Sequence, residues 1–96
     1  MNRTDVLKLI SARRPDLARF GVRSLALFGS IARDEGHPGS DVDVLVEFDG
    51  KATFDGYINL KLFLEELLKC KVDLVTRNGL RPRIRPYIEK EAVYVA

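Results

Sequence analysis

Hydrophobic positions keep a helical rhythm in some stretches of the chain and an alternating or continuous one in others, and the switches mark its elements. From about Thr4 to Arg13, Val6, Leu7, Leu9 and Ile10 give an apolar helical face. Asp5 in the first turn and Arg13-Arg14 at the end both suit the helix dipole. Pro15 stops this helix or starts another short one, with Leu17 and Phe20 as its apolar residues and Gly21 as its end. Val22 to Phe28 reads as a strand. Its nearly continuous run Leu25-Ala26-Leu27-Phe28 suits a central strand covered on at least one face. Ser30 to Arg33 begins a short helix, and Gly36 to Gly39 is loop by composition.

Val42 to Phe48 is a second strand, closed by the turn signal Asp49-Gly50. A long helix then runs from about Asp55 to Lys69. Tyr57, Leu60, Leu64, Leu67 and Leu68 recur at helical spacing, and Ile58, Leu62 and Phe63 widen the apolar surface. Glu65 and Lys69 stand at i and i+4 in the favourable order. Lys71 to Thr76 is a third strand. Beyond it, Leu80, Ile84, Tyr87, Ile88 and Glu91 share a helical face. Pro82 suits a first turn, and Pro86 kinks that helix or forces a later start. Ala92 to Val95 ends the pattern as a short strand. Helical crossovers between strands favour some parallel pairing. The pattern predicts one domain over residues 1–96, of α/β (α+β) class, with a small mixed sheet and helices packed on it.

Composition narrows the function classes. With 46% hydrophobic and 31% charged residues, the 96-residue chain suits a globular domain rather than a disordered one. A net charge of +2 is too small to argue for direct nucleic-acid binding. No apolar run approaches a membrane span and the N-terminus does not look like a signal peptide, so a cytoplasmic protein is expected. The single Cys70 cannot form an intramolecular disulfide and reads as a small core or boundary residue. Arg13-Arg14 read as solvated helix-end charge. Arg77, Arg81, Arg83 and Arg85 form either a solvated face or a contact for an acidic partner or phosphates. His37 reads as an exposed loop residue.

The chemistry concentrates between Leu25 and Val46. Asp41 and Asp43 are two apart at the start of a strand, so they project to one side. Crowded carboxylates repel unless a proton or cation lies between them. Mg²⁺ is a natural partner, because it takes oxygen ligands and keeps positions open for phosphate. Gly29-Ser30 ends the preceding strand. A glycine lets the backbone approach a ligand closely. A helix opening at Ser30 would aim free N–H groups at an anion, and the Ser30 hydroxyl adds a donor. Arg33, about one turn on, reaches a phosphate or an acidic partner, or salt-bridges Asp34 or Glu35. Asp73 is acidic inside a short apolar strand. Burying a lone carboxylate is costly unless it is paired or binds metal, and otherwise the strand is an edge with Asp73 facing water.

Gly29-Ser30, ten residues, then Asp41-Val42-Asp43 resembles the GSx10DxD signature of the minimal nucleotidyltransferases, small members of the DNA polymerase beta-like superfamily. The resemblance extends to strand order and length and covers most of the chain. It implies a polymerase beta-like palm core. It implies Mg²⁺ held by Asp41, Asp43 and Asp73, with ATP on Gly29, Ser30 and Arg33. Asp73 would be the third carboxylate and the base for an acceptor hydroxyl. The chain is short for a self-contained transferase, so the acceptor is expected on another protein. Minimal nucleotidyltransferases often act as antitoxins beside a HEPN-family ribonuclease toxin, which implies AMP transfer to a toxin tyrosine. Two other classes stay open: an idle antitoxin that neutralises by binding, and a small-molecule transferase completed by a partner chain. A homo-oligomer stays open as well.

Overall fold

Asn2 sets the start of the first helix. Its side chain accepts from Asp5 N–H at 2.9 Å, and the Asp5 carboxylate reaches back to Asn2 N–H, a capping box. The computed structural model describes residues 2–35 and 41–95. Helix α1 spans Arg3–Ser11 and buries Val6 and Ile10. Pro15 does not end it but opens a second helix, α2, Arg14–Arg19, where its missing N–H costs nothing. Strand β1 is Val22–Phe28, followed by one turn of helix, α3, Gly29–Ala32. Strand β2 is Val42–Phe48 and helix α4 is Phe54–Leu68. Strand β3, Val72–Thr76, runs into a 3-10 turn at Arg77–Gly79, then come α5, Arg85–Glu91, and β4, Val93–Tyr94.

The strand order is β3-β2-β1-β4. β1 is antiparallel to both β2 and β4. The α4 crossover returns the chain parallel to β2, so β2 and β3 pair in parallel. The expected mixed sheet is thus present. Strand alternation gives its faces different fates. On one face Leu25, Leu27, Val44, Val46, Val72 and Leu74 meet Val6, Ile10 and Leu17 and the α4 residues Leu60, Leu64 and Leu68. On the other face Ala26 and Leu45 lie under Leu80, with Phe28, Val75, Ile88 and Ala92 packed around them. Asp43 and Asp73 alternate with the buried valines and leucine of the first face, so they belong to the second, thinly covered face.

Several expected details differ. The C-terminal pattern does not form one helix. Pro82 falls in a turn, and Pro86 occupies the first turn of α5, so it forces a later start rather than a kink. Leu80 therefore packs over the sheet from a loop, and Tyr87 is 75% exposed. Lys69 ends α4 in a left-handed conformation, with φ of 55°. Glu65 accepts from Val72 N–H at 3.0 Å and so fixes the start of β3 instead of pairing with Lys69. The arginines after α1 are braces rather than free charge. Arg13 pairs with Asp16 at 2.6 Å and lies over the Phe63 ring, and Arg14 donates to Val95 O at 2.9 Å. Cys70 is half-buried against the core, a boundary residue as expected. Among the described residues no helix is long and apolar enough to cross a membrane.

Candidate active site

The parallel register sets Asp43 directly beside Asp73. On its other side Asp43 faces Phe28, the last residue of β1, so Gly29 comes immediately above it. Gly29 has a φ of +67°. A Cβ built there would overlap Asp43 Oδ2 and lie 3.1 Å from Asp43 Cγ. The glycine is thus required twice, for its left-handed backbone and for its closeness to the carboxylate. The expected loop at Gly36–Gly39, with His37, lies outside the described residues.

Asp43 is half-buried, and its pKa is pushed up to about 6. Burial is the largest cause. The charges of Asp73 and Asp41 follow, with a hydrogen bond to Asp73 and the charge of Glu91 behind them. Asp73 is exposed on the edge strand, and Asp41 is exposed just ahead of β2. Burial, then the Asp41 and Glu65 charges, also push the Cys70 thiol up, which leaves it protonated and inert.

Arg33 follows α3 and donates through Nε to Glu35 and through Nη1 to Glu91, both at 2.9 Å. These partners, Glu35 first, raise the Arg33 pKa. The second carboxylate oxygen of Glu91 accepts from Gly29 N–H at 2.9 Å. Phe28 supplies no side-chain cap to α3, so Glu91 supplies it from 62 residues away. Sequence reading missed Glu91 as a site residue and placed it on a helical face. No local motif marks it: it arrives because β4 pairs with β1, Leu27 beside Val93.

The arginine cluster lies away from these carboxylates. β3 carries the chain from Asp73 to Thr76, and Arg77 follows. Arg77 binds Glu89 at 2.8 Å and approaches Glu47 at 3.6 Å, and Arg85 binds Glu89 at 3.1 Å. Arg81 and Arg83 are exposed.

A divalent cation fits this donor set. Asp43 and Asp73 are hard oxygen donors that repel each other without a cation or proton. Mg²⁺ commonly takes one or two carboxylates and completes its shell with water and phosphate oxygens. Among the described residues no three carboxylate, His or Cys side chains converge tightly enough to hold a metal by themselves. Asp43 and Asp73 form the close pair, and Asp41 acts on it through its charge.

Comparison with known proteins agrees with this geometry. The nucleotidyltransferase domain family matches residues 7–95. Protein adenylyltransferase MntA of Thermococcus cleftensis is 38% identical over 92 residues, which cover 95% of this chain and 93% of the relative. A solved structure described as a candidate minimal nucleotidyltransferase superposes with a TM-score of 0.86 at 38% identity, covering 97% of this chain and 95% of the other. The MNT antitoxin in complex with a tri-AMPylated Shewanella oneidensis HEPN toxin shares the fold, with a TM-score of 0.66. That similarity is 18% identity over 94% of this chain and 71% of the other, so it speaks for the fold alone. The Gly29 turn over the Asp43–Asp73 pair thus sits in a fold and a sequence of one kind, and the chain belongs to the nucleotidyltransferase domain family as a minimal nucleotidyltransferase.

Proposed function

We propose that this enzyme moves AMP from ATP to a tyrosine hydroxyl of a HEPN-family toxin, in a Mg²⁺-dependent reaction, and so acts as an antitoxin. The observation that carries the chemistry is the Gly29 backbone held against Asp43, with Asp73 alongside. A phosphate-binding turn and a cation-binding carboxylate pair then serve one ligand. The protein acceptor rests on the 38%-identical relative, named a protein adenylyltransferase. The toxin rests on the complex in which a protein of this fold accompanies an AMPylated HEPN partner.

Asp43 and Asp73 would hold the metal, with Asp41 adding its negative charge from just ahead of β2. Bound Mg²⁺ supplies positive charge for the α-phosphate and the departing pyrophosphate. The chain's own groups do the rest. Gly29 N–H and the Ser30 hydroxyl hold phosphate oxygens, and Arg33 offsets their charge. Asp73, open to solvent at the sheet edge, can meet an acceptor from outside. It takes the proton as the tyrosine oxygen attacks the α-phosphorus. The bond from the α-phosphorus to the bridging oxygen breaks, and pyrophosphate leaves.

The test is intact mass of a HEPN toxin incubated with the chain, ATP and Mg²⁺. One or more added AMP groups, lost with Asp43→Asn, is the expected result. An unmodified toxin would overturn the reading.

A further inference from the structure

Glu91 closes over the Gly29 turn and reaches Arg33. Its two carboxylate oxygens take Gly29 N–H and Arg33 Nη1, each at 2.9 Å. Those donors are the ones expected to bind phosphate oxygens. A carboxylate and a phosphate present the same face to them: two anionic acceptors spaced for a guanidinium and an amide. The contact is partly shielded, with Glu91 31% exposed. Glu91 also adds its charge to Asp43, which already bears those of Asp73 and Asp41. Four carboxylates therefore surround a site whose ligand is itself an anion. Glu91 is the last residue of α5, and the next residues pair with β1. The backbone stays in place while the side chain alone can turn away.

We infer that Glu91 is an internal competitor of the nucleotide: its carboxylate occupies the phosphate position at Gly29 and Arg33 and sets the nucleotide affinity of the resting enzyme. This rests on the phosphate-binding role proposed above for those two residues. A nucleotide must displace Glu91 before it binds. The measured affinity is then the intrinsic affinity multiplied by the fraction of molecules with Glu91 swung out. A latch closed about nine-tenths of the time weakens binding about tenfold. Displacement returns Arg33 to the ligand and removes one negative charge from the site.

The experiment compares the parent chain with Glu91→Gln and Glu91→Ala by calorimetry. The probes are inorganic tripolyphosphate, Mg²⁺ with a non-hydrolysable ATP analogue, and adenosine. Both variants should bind tripolyphosphate and the analogue about tenfold tighter, with adenosine unchanged. Glu91→Ala should also melt lower than the parent without ligand, yet gain more in Tm when tripolyphosphate is added. Equal or weaker binding by both variants would overturn the inference and leave Glu91 as a strut for the Gly29 turn. Equal tightening of adenosine would overturn it too, because competition between anions cannot affect an uncharged ligand. Absence of polyphosphate binding in every protein would overturn this inference and the proposed function together. Tighter tripolyphosphate binding with no AMP transfer by the parent would overturn the proposed function alone.

Discussion

At the scale of single residues, Gly29 and Asp43 constrain each other. A Cβ at Gly29 would collide with the Asp43 carboxylate, and φ of +67° disfavours any side chain there. Gly29→Ala is expected to destabilise the protein by about 1–3 kcal/mol and to displace Asp43. Denaturant unfolding reads the first effect, and a large fall in AMP transfer reads the second. Transfer at the parent rate would reduce Gly29 to a turn residue. Asp43 gives a pH signature. Its pKa is raised from 3.8 to about 6, so the folded chain holds this proton more tightly than the unfolded one. The resulting stability is complete below the unfolded value and is lost as pH rises through about 6. Asp43→Asn imitates the protonated form at every pH. The metal-free variant should match the parent in acid and melt above it once pH passes 6. Mg²⁺ should raise the parent's Tm on the alkaline side only, because it binds the ionised pair. Parallel Tm profiles of parent and variant would show that Asp43 carries no strain.

At the scale of elements, the legible parts were those where local pattern and tertiary packing agree. The runs Val22–Phe28 and Val42–Phe48 form strands β1 and β2 with those boundaries, since turn residues bound both. Period-two alternation alone puts Asp43 opposite Val44, on the thin face of the sheet. Asp73 was legible as an acid in an apolar strand, but its pairing with Asp43 depends on the parallel register that α4 imposes. In the C-terminal segment the apolar spacing from Leu80 to Ile88 suggests one helical face, and Pro86 leaves a kink and a later start equally open; the structure takes the later start, with Pro86 in the first turn of α5 and Pro82 in a turn before it. Glu91 escaped for another reason. Nothing near it in sequence refers to Gly29, and only the β1–β4 pairing joins them. Helix α4 gives the stability prediction at this scale. Leu64 is fully buried between the sheet and α1. Leu64→Ala should cost about 2–5 kcal/mol in denaturant unfolding. A cost near that of a surface substitution would mean that α4 does not carry the core.

At the scale of the whole molecule, the chain separates chemistry from the rest of its surface. The Asp43–Asp73 pair lies at the start of β2 and β3, and the arginines Arg77 to Arg85 follow the far end of β3. Exposed apolar side chains include Phe54, at 77%, at the start of α4 and Tyr87, at 75%, in α5. A change confined to the carboxylates should therefore alter catalysis without altering how the chain meets another protein. Asp43→Ala makes that separable. It removes one member of the cation-binding pair and relieves repulsion, so the fold survives. Co-expressed with a HEPN toxin, the variant should still co-purify with it, while the toxin carries no added AMP and regains activity once freed. Growth rescue measured beside toxin mass decides the outcome. Loss of rescue with the complex intact would make modification the means of neutralisation. Full rescue by Asp43→Ala, with an unmodified toxin, would mean that contact alone silences the partner. The Asp43–Asp73 pair would then be unnecessary for protection.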